Sequence, residues 1–162
     1  RLSISVIGWG MFSFGNVLAE KLRFLGTIRY DVASVVKLLE KTVYKASISI
    51  DGEISNISCA FMVGCNSIHT GKGMKIAPSG GFYDEMIDMV IVKDDVSRLQ
   101  LVKVFKEVYT GKHTDLPYVH MSKIKSFSID ALKDSYFNVD GETIKSKKVS
   151  VQILPKTIKL LV

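Results

Sequence analysis

From Leu2 to Ile7 the chain alternates apolar and polar residues, the period of a half-buried strand, and a Gly-Trp-Gly sequence at 8–10 reads as the turn that ends it. Between Asn16 and Lys41 the period lengthens. Val17, Leu18, Leu22 and Leu25, then Val32, Val35, Val36 and Leu39, recur at helical spacing, with Gly26 as a stop and Asp31 or Ser34 as a fresh start. This predicts a short helical pair. Thr42 to Met62 returns to β-branched alternation around Asp51-Gly52-Glu53, a hairpin signal. Gly and Pro then bracket short strands, the last being the apolar run Met86 to Val92.

Residues 97–110 carry the clearest helix. Ser97 caps it, Leu101, Val104, Phe105 and Val108 form one apolar face, and Gly111 stops it. From Leu116 onward the pattern is strand after strand, with lysines on the outward side. There is no βαβ alternation, so a nucleotide-binding parallel sheet is not expected within these residues. The order predicts one mainly β (α+β) domain over residues 1–162, an antiparallel β-sandwich with about three helices.

A length of 162 residues suits one domain with a substantial core. Cys59 and Cys65 match no zinc or redox spacing and read as buried, inert thiols in a reducing, cytoplasmic compartment. Apolar runs such as Ala60-Phe61-Met62-Val63 are far short of the roughly 20 residues that span a bilayer, so the chain is expected to be soluble. It opens at Arg1 directly in a strand-like pattern, as if cut from a longer protein. The net charge of +6, with eight lysines between Lys123 and Lys159, favours anionic surfaces. Arginine-aromatic interleaving is missing, so nucleic acid is not an expected partner.

Most motifs that carry chemistry fail on spacing. Gly71-Lys72-Gly73 lacks the upstream glycine and the Ser/Thr of a phosphate loop, and Pro78-Ser79-Gly80-Gly81 is not a nucleophile elbow. His69, His113 and His120 have no evident acid partner, and His69 and His113 sit in polar stretches that suggest solvation. Acids remain at Asp84, Glu85 and Asp88, at Asp140-Gly141-Glu142, and at Glu20. Asp140-Gly141 is a hairpin signal, yet Glu142 follows it at once, so the stretch reads either as a turn alone or as two presented carboxylates. A carboxylate in a tight turn suits a hard cation such as Mg²⁺. Arg23 and Arg29 straddle Gly26 and either converge on a polyphosphate or cover a helix end.

Taken in order, "ISVIGWGMFS…AEKLRFLGTIRYDV", "GKGMKIAPSGGFYDEMIDMVIV", "LVKVFKEVYTGKHTDLP" and "VDGE" with the closing "VQILP" resemble the C-terminal half of the diacylglycerol, sphingosine and ceramide lipid kinase superfamily, most like the sphingosine and ceramide kinases. The resemblance implies a lipid-binding β-sandwich that works with an N-terminal nucleotide-binding domain carrying a Gly-Gly-Asp-Gly-Thr motif, absent from this chain. It implies ATP and Mg²⁺ as cofactors, a lipid hydroxyl as acceptor, a peripheral membrane surface as partner, and a chain that is inactive alone. A non-catalytic lipid-binding or regulatory module of the same fold is the alternative.

By the same resemblance, Arg23 and Arg29 fall where nucleotide phosphates are contacted, and Asn16 and Glu20 fall at the lipid. Asn16 replaces an Asp that engages the sphingoid amine and hydroxyl. An amide still bonds a hydroxyl but neutralises no ammonium. Asp84 matches a ligand of a structural magnesium, with Glu85 where the family has Gly. Asp140 and Glu142 match an Asp-Gly-Glu whose Glu acts as a base or lies near the phosphates.

Overall fold

A computed structural model of the protein describes residues 1–13, 42–71 and 73–157. Its strands are β1 (Val6–Gly10), β2 (Tyr44–Ile50), β3 (Glu53–Cys65), β4 (Ile87–Lys93), β5 (Val119–Ile124), β6 (Ser126–Val139) and β7 (Glu142–Gln152), with helix α1 (Arg98–Glu107) between β4 and β5. All paired strands run antiparallel. The predicted helical pair at 16–41 lies outside the described residues.

β1 and β2 share one lane of the sheet. Gly10 pairs with Phe61 and Tyr44 with Cys59 on one flank, while both strands pair with β6 on the other. The chain therefore leaves the sheet after Gly10 and returns to the same lane at Tyr44. Gly10 has φ +82°, and a side chain there would lie 2.9 Å from the Ala60 carbonyl and Phe61 Cα. The expected Gly-Trp-Gly turn is thus part of a central strand. Its glycines serve close approach, and at Gly8 an added Cβ would fall 2.3 Å from the Phe12 ring. The first strand also starts at Val6 rather than Leu2, because a side chain takes up the N–H groups of Ile4, Ser5 and Val6.

The connectivity accounts for the two layers. β5 and β6 are joined through Lys125 alone, yet in the sheet they are separated by β4, β3 and the shared lane. One residue spans under about 4 Å. The sheet must therefore curl until its two flanks meet, the sandwich-like arrangement expected from the sequence. Phe127 of β6 lands over Gly64 of β3, where an added Cβ would sit 2.8 Å from its ring. The Asp51-Gly52 hairpin ties this corner: Asp51 has φ +48°, Gly52 φ +94°, and the Asp51 carboxylate accepts the N–H groups of Lys125 (2.9 Å) and Ser126 (2.7 Å).

Between the layers lie Trp9, Ile48, Met62, Met89, Phe127, Ile129 and Phe137. Trp9 is stacked at 6.4 Å on Phe137, and its indole N–H donates to Ser135 Oγ at 2.9 Å, so the ring is buried without an orphaned donor. On the outer face, Leu101 and Val104 of α1 pack on Val90, Val92 and Val119. As the sequence predicts, Ser97 caps α1, in a reciprocal capping box with Gln100, and Gly111 beyond it has φ +82°.

Candidate active site

The Asp140-Gly141 step is a hairpin turn joining β6 to β7, with φ of +51° and +92°. Its aspartate does more than turn the chain. Oδ1 accepts the N–H groups of Ser5 (2.9 Å) and Val6 (2.8 Å) and the Ser3 hydroxyl (3.0 Å), and Oδ2 accepts the N–H of Ile4 (2.8 Å). Partial burial works to raise its pKa, but these donors outweigh it and hold the carboxyl below 3.8. Glu142 stands at the start of β7 with its side chain 70% exposed and paired with Arg1. The two acids thus divide the roles that the sequence left open. Asp140 fixes the turn to the strand beside it, and Glu142 is presented outward.

A hydrogen-bonded chain runs from this turn to the segment that carries the other candidates. Asn138 Oδ1 accepts the Gly141 N–H at 3.1 Å, the Asn138 N–H donates to Ser13 Oγ at 3.1 Å, and Ser13 donates to the Gly8 carbonyl at 2.6 Å. Ser13 and Asn138 are both buried. Ser13 lies three residues before Asn16, so the chain toward Asn16, Glu20, Arg23 and Arg29 departs from a point bonded to the hairpin. Those four candidates lie outside the described residues. Sequence reading missed Ser13 and Asn138, because their contact spans 125 positions.

Asp84 sits in a second acidic group. Glu85, standing where the resemblance has Gly, takes φ +56°. Asp84 pairs with Lys123, whose Nζ also lies 3.4 Å from the fully buried Asp88 and 3.2 Å from the Ser79 carbonyl. The hydrogen bond to Asp84 raises the Lys123 pKa against its partial desolvation. Burial works to raise the Asp84 pKa, but Lys123 and the Met86 N–H outweigh it and lower the value. Among the described residues no group of three or more His, Cys, Asp or Glu forms a metal cluster. The turn as arranged does not fit a magnesium ion: its oxygens are gathered on the chain's own ammonium.

The two acidic turns lie along one end of the sheet. Lys123 pairs with Asp88, Asp88 with Cys65 and Cys65 with Val6, while Ile7 pairs with Val139. Three strand spacings, about 14 Å, separate the β4 and β6 positions. Fold and sequence agree on the thiols: Cys59 and Cys65 are buried, and desolvation pushes each up to about 12. They disagree on His113. It is buried rather than solvated, with Nε2 3.0 Å from the Ile76 carbonyl, and desolvation lowers its pKa below 6.5.

Residues 5–162 match the family model described as the YegS C-terminal NAD kinase beta sandwich-like domain. The chain belongs to that family. It is 25% identical to the "Probable lipid kinase YegS-like" of Shewanella frigidimarina, over 99% of this chain and 51% of that protein. Sphingosine kinase 1 of Rattus norvegicus is 23% identical over 94% of this chain and 50% of its own length. A solved Bacillus anthracis str. Sterne chain assigned as a diacylglycerol kinase shares the fold with a TM-score of 0.69, at 20% identity, over 94% of this chain and 50% of its own. The chain spans about half the length of the relatives it matches. The lipid kinase resemblance read from the sequence is thereby borne out.

Proposed function

We propose that this chain is the lipid-holding half of an ATP-dependent lipid kinase, completed by an N-terminal nucleotide-binding domain. What carries the reading is the match over residues 5–162 to a domain whose relatives bear lipid, sphingosine and diacylglycerol kinase names, at half their length. Phosphoryl transfer to a lipid hydroxyl is mostly positioning and charge stabilisation, with ATP supplying the phosphoryl group and Mg²⁺ accompanying the polyphosphate.

Within this half, Asp140 locks the hairpin, and Glu142 offers an exposed carboxylate as base or as a group beside the phosphates. Arg23 and Arg29 serve the nucleotide phosphates, and Asn16 and Glu20 the lipid head. An amide at Asn16 favours a neutral head, ceramide or diacylglycerol, over a sphingoid ammonium. Among the described residues no helix is long and apolar enough to cross a membrane. In this reading the working form meets lipid peripherally, at a cytoplasmic face.

The test is transfer of labelled phosphate from ATP to a panel of sphingosine, ceramide and diacylglycerol by the chain joined to its nucleotide domain. Turnover is expected on a neutral lipid, falling by roughly 10²-fold in Glu142→Gln if Glu142 acts as an acid-base group. No turnover on any lipid returns the chain to a non-catalytic lipid-binding module.

A further inference from the structure

Helix α1 has a second face that its packing does not use. At 100° per residue, Leu101, Val104 and Val108 point into the fold, while Arg98, Leu99, Val102, Lys103, Lys106 and Tyr109 cover an outward arc of roughly 140°. All six are exposed, Leu99 at 82%, Tyr109 at 41% and Val102 at 37%. None is acidic, and the one acid of the helix, Glu107, lies half-buried at the edge of the arc. Of the acids just before the helix, Asp94 is held by Ser58 Oγ at 2.6 Å, and Asp95 lines a shallow pocket with Gln100, Pro117 and Tyr118 on the other side of the helix.

The needs of the helix itself account for one cation, Lys106 in its last turn, but not for the rest of this face. Its first turn holds no acid, and Arg98 and Leu99 stand where the macrodipole favours Asp or Glu. A face serving only solubility would mix charges of both signs. Three cations interleaved with Leu, Val and Tyr instead match an anionic bilayer surface: apolar tips enter the headgroup boundary while Arg98, Lys103 and Lys106 extend their charges to phosphate oxygens.

We infer that the outward face of α1 docks this domain on anionic phospholipid. The inference rests on the lipid kinase reading only for its purpose, since binding is measured without catalysis. The probe is co-sedimentation of the protein, joined to its nucleotide domain, with phosphatidylcholine vesicles with and without phosphatidylserine. Phosphatidylserine should strengthen binding, and added salt should weaken it. Lys103→Gln with Lys106→Gln should weaken it by roughly 25-fold, about fivefold per cation. Leu99→Ser should also weaken it, with unchanged thermal melting because Leu99 is 82% exposed and lies outside the core. Lys145→Gln with Lys147→Gln on β7 should leave binding as it was.

Equal loss from the β7 pair would overturn the inference in favour of a diffuse basic surface. A soluble short-chain lipid separates the remaining outcomes. Intact turnover on it in the α1 variants supports a bilayer role. Lost turnover there would mean that the face meets the nucleotide domain instead, and overturns the inference. Wild-type turnover without vesicle binding sinks docking while sparing the kinase reading, and vesicle binding without turnover does the reverse.

Discussion

At the scale of single residues, the two Asp-Gly turns are built alike. Asp51 takes N–H groups from the β5–β6 corner, and Asp140 takes them from the chain leading into β1. The turns were legible in the sequence because Asp-Gly favours the left-handed conformations that both positions adopt. What the aspartates hold was not, since their partners lie 74 to 137 positions away. This changes the expectation for Asp140. Asn is well suited to the turn, yet it has one acceptor oxygen where both carboxylate oxygens are used, so its NH₂ would face a backbone N–H. Asp140→Asn should therefore destabilise the fold by about 1–2 kcal/mol after allowance for solvent. Glu142→Gln removes only an exposed ion pair and should cost under about 1 kcal/mol. Denaturant titration of the two variants checks this, and equal midpoints would count against Asp140 as the anchor.

Elements read best where their signals are local. Ser97 and the apolar spacing gave α1 correctly because cap and face lie within a few turns of chain. β1 was misplaced for the opposite reason. Its alternation extends back to Leu2, but those N–H groups are claimed by Asp140, and Gly8 and Gly10, ordinary turn formers, are needed where Phe12 and the β3 backbone press close. A third glycine tests the two-layer arrangement. Gly64 lies under Phe127, so Gly64→Ala should force the ring aside and cost about 1–3 kcal/mol, as overpacking does. Pairing it with Phe127→Leu should recover part of that loss. Independent, additive costs in the double variant would show that β3 and β6 do not meet there.

For the whole molecule, the charged and buried groups combine into one stability profile against pH. Burial lowers the His113 pKa, so the unfolded chain takes up a proton first as pH falls below 6.5, and stability, complete above that value, declines. The carboxyls of Asp51, Asp84, Asp94 and Asp140 are all lowered from 3.8. Their contribution is present above that value and is lost as pH falls further. Lys123 is raised from 10.5, so its contribution is complete below 10.5 and disappears as pH rises through the folded value. The buried thiols of Cys59 and Cys65 are pushed from 9.0 up to about 12, so their contribution is complete below 9.0 and is lost as pH rises beyond it. The melting temperature should therefore be flat from about pH 7 to 8, decline on the alkaline side as the unfolded thiols ionise, sag between pH 6.5 and the carboxylate range, then fall steeply in acid. The histidine was read as solvated because its polar neighbours hide the long-range contact with Ile76, so the middle limb is the one that the structure adds. His113→Gln keeps a donor for the Ile76 carbonyl but no longer titrates. It should abolish the sag while leaving the acid and alkaline limbs in place. A variant that sags like the wild type would show that the midrange loss belongs to another group.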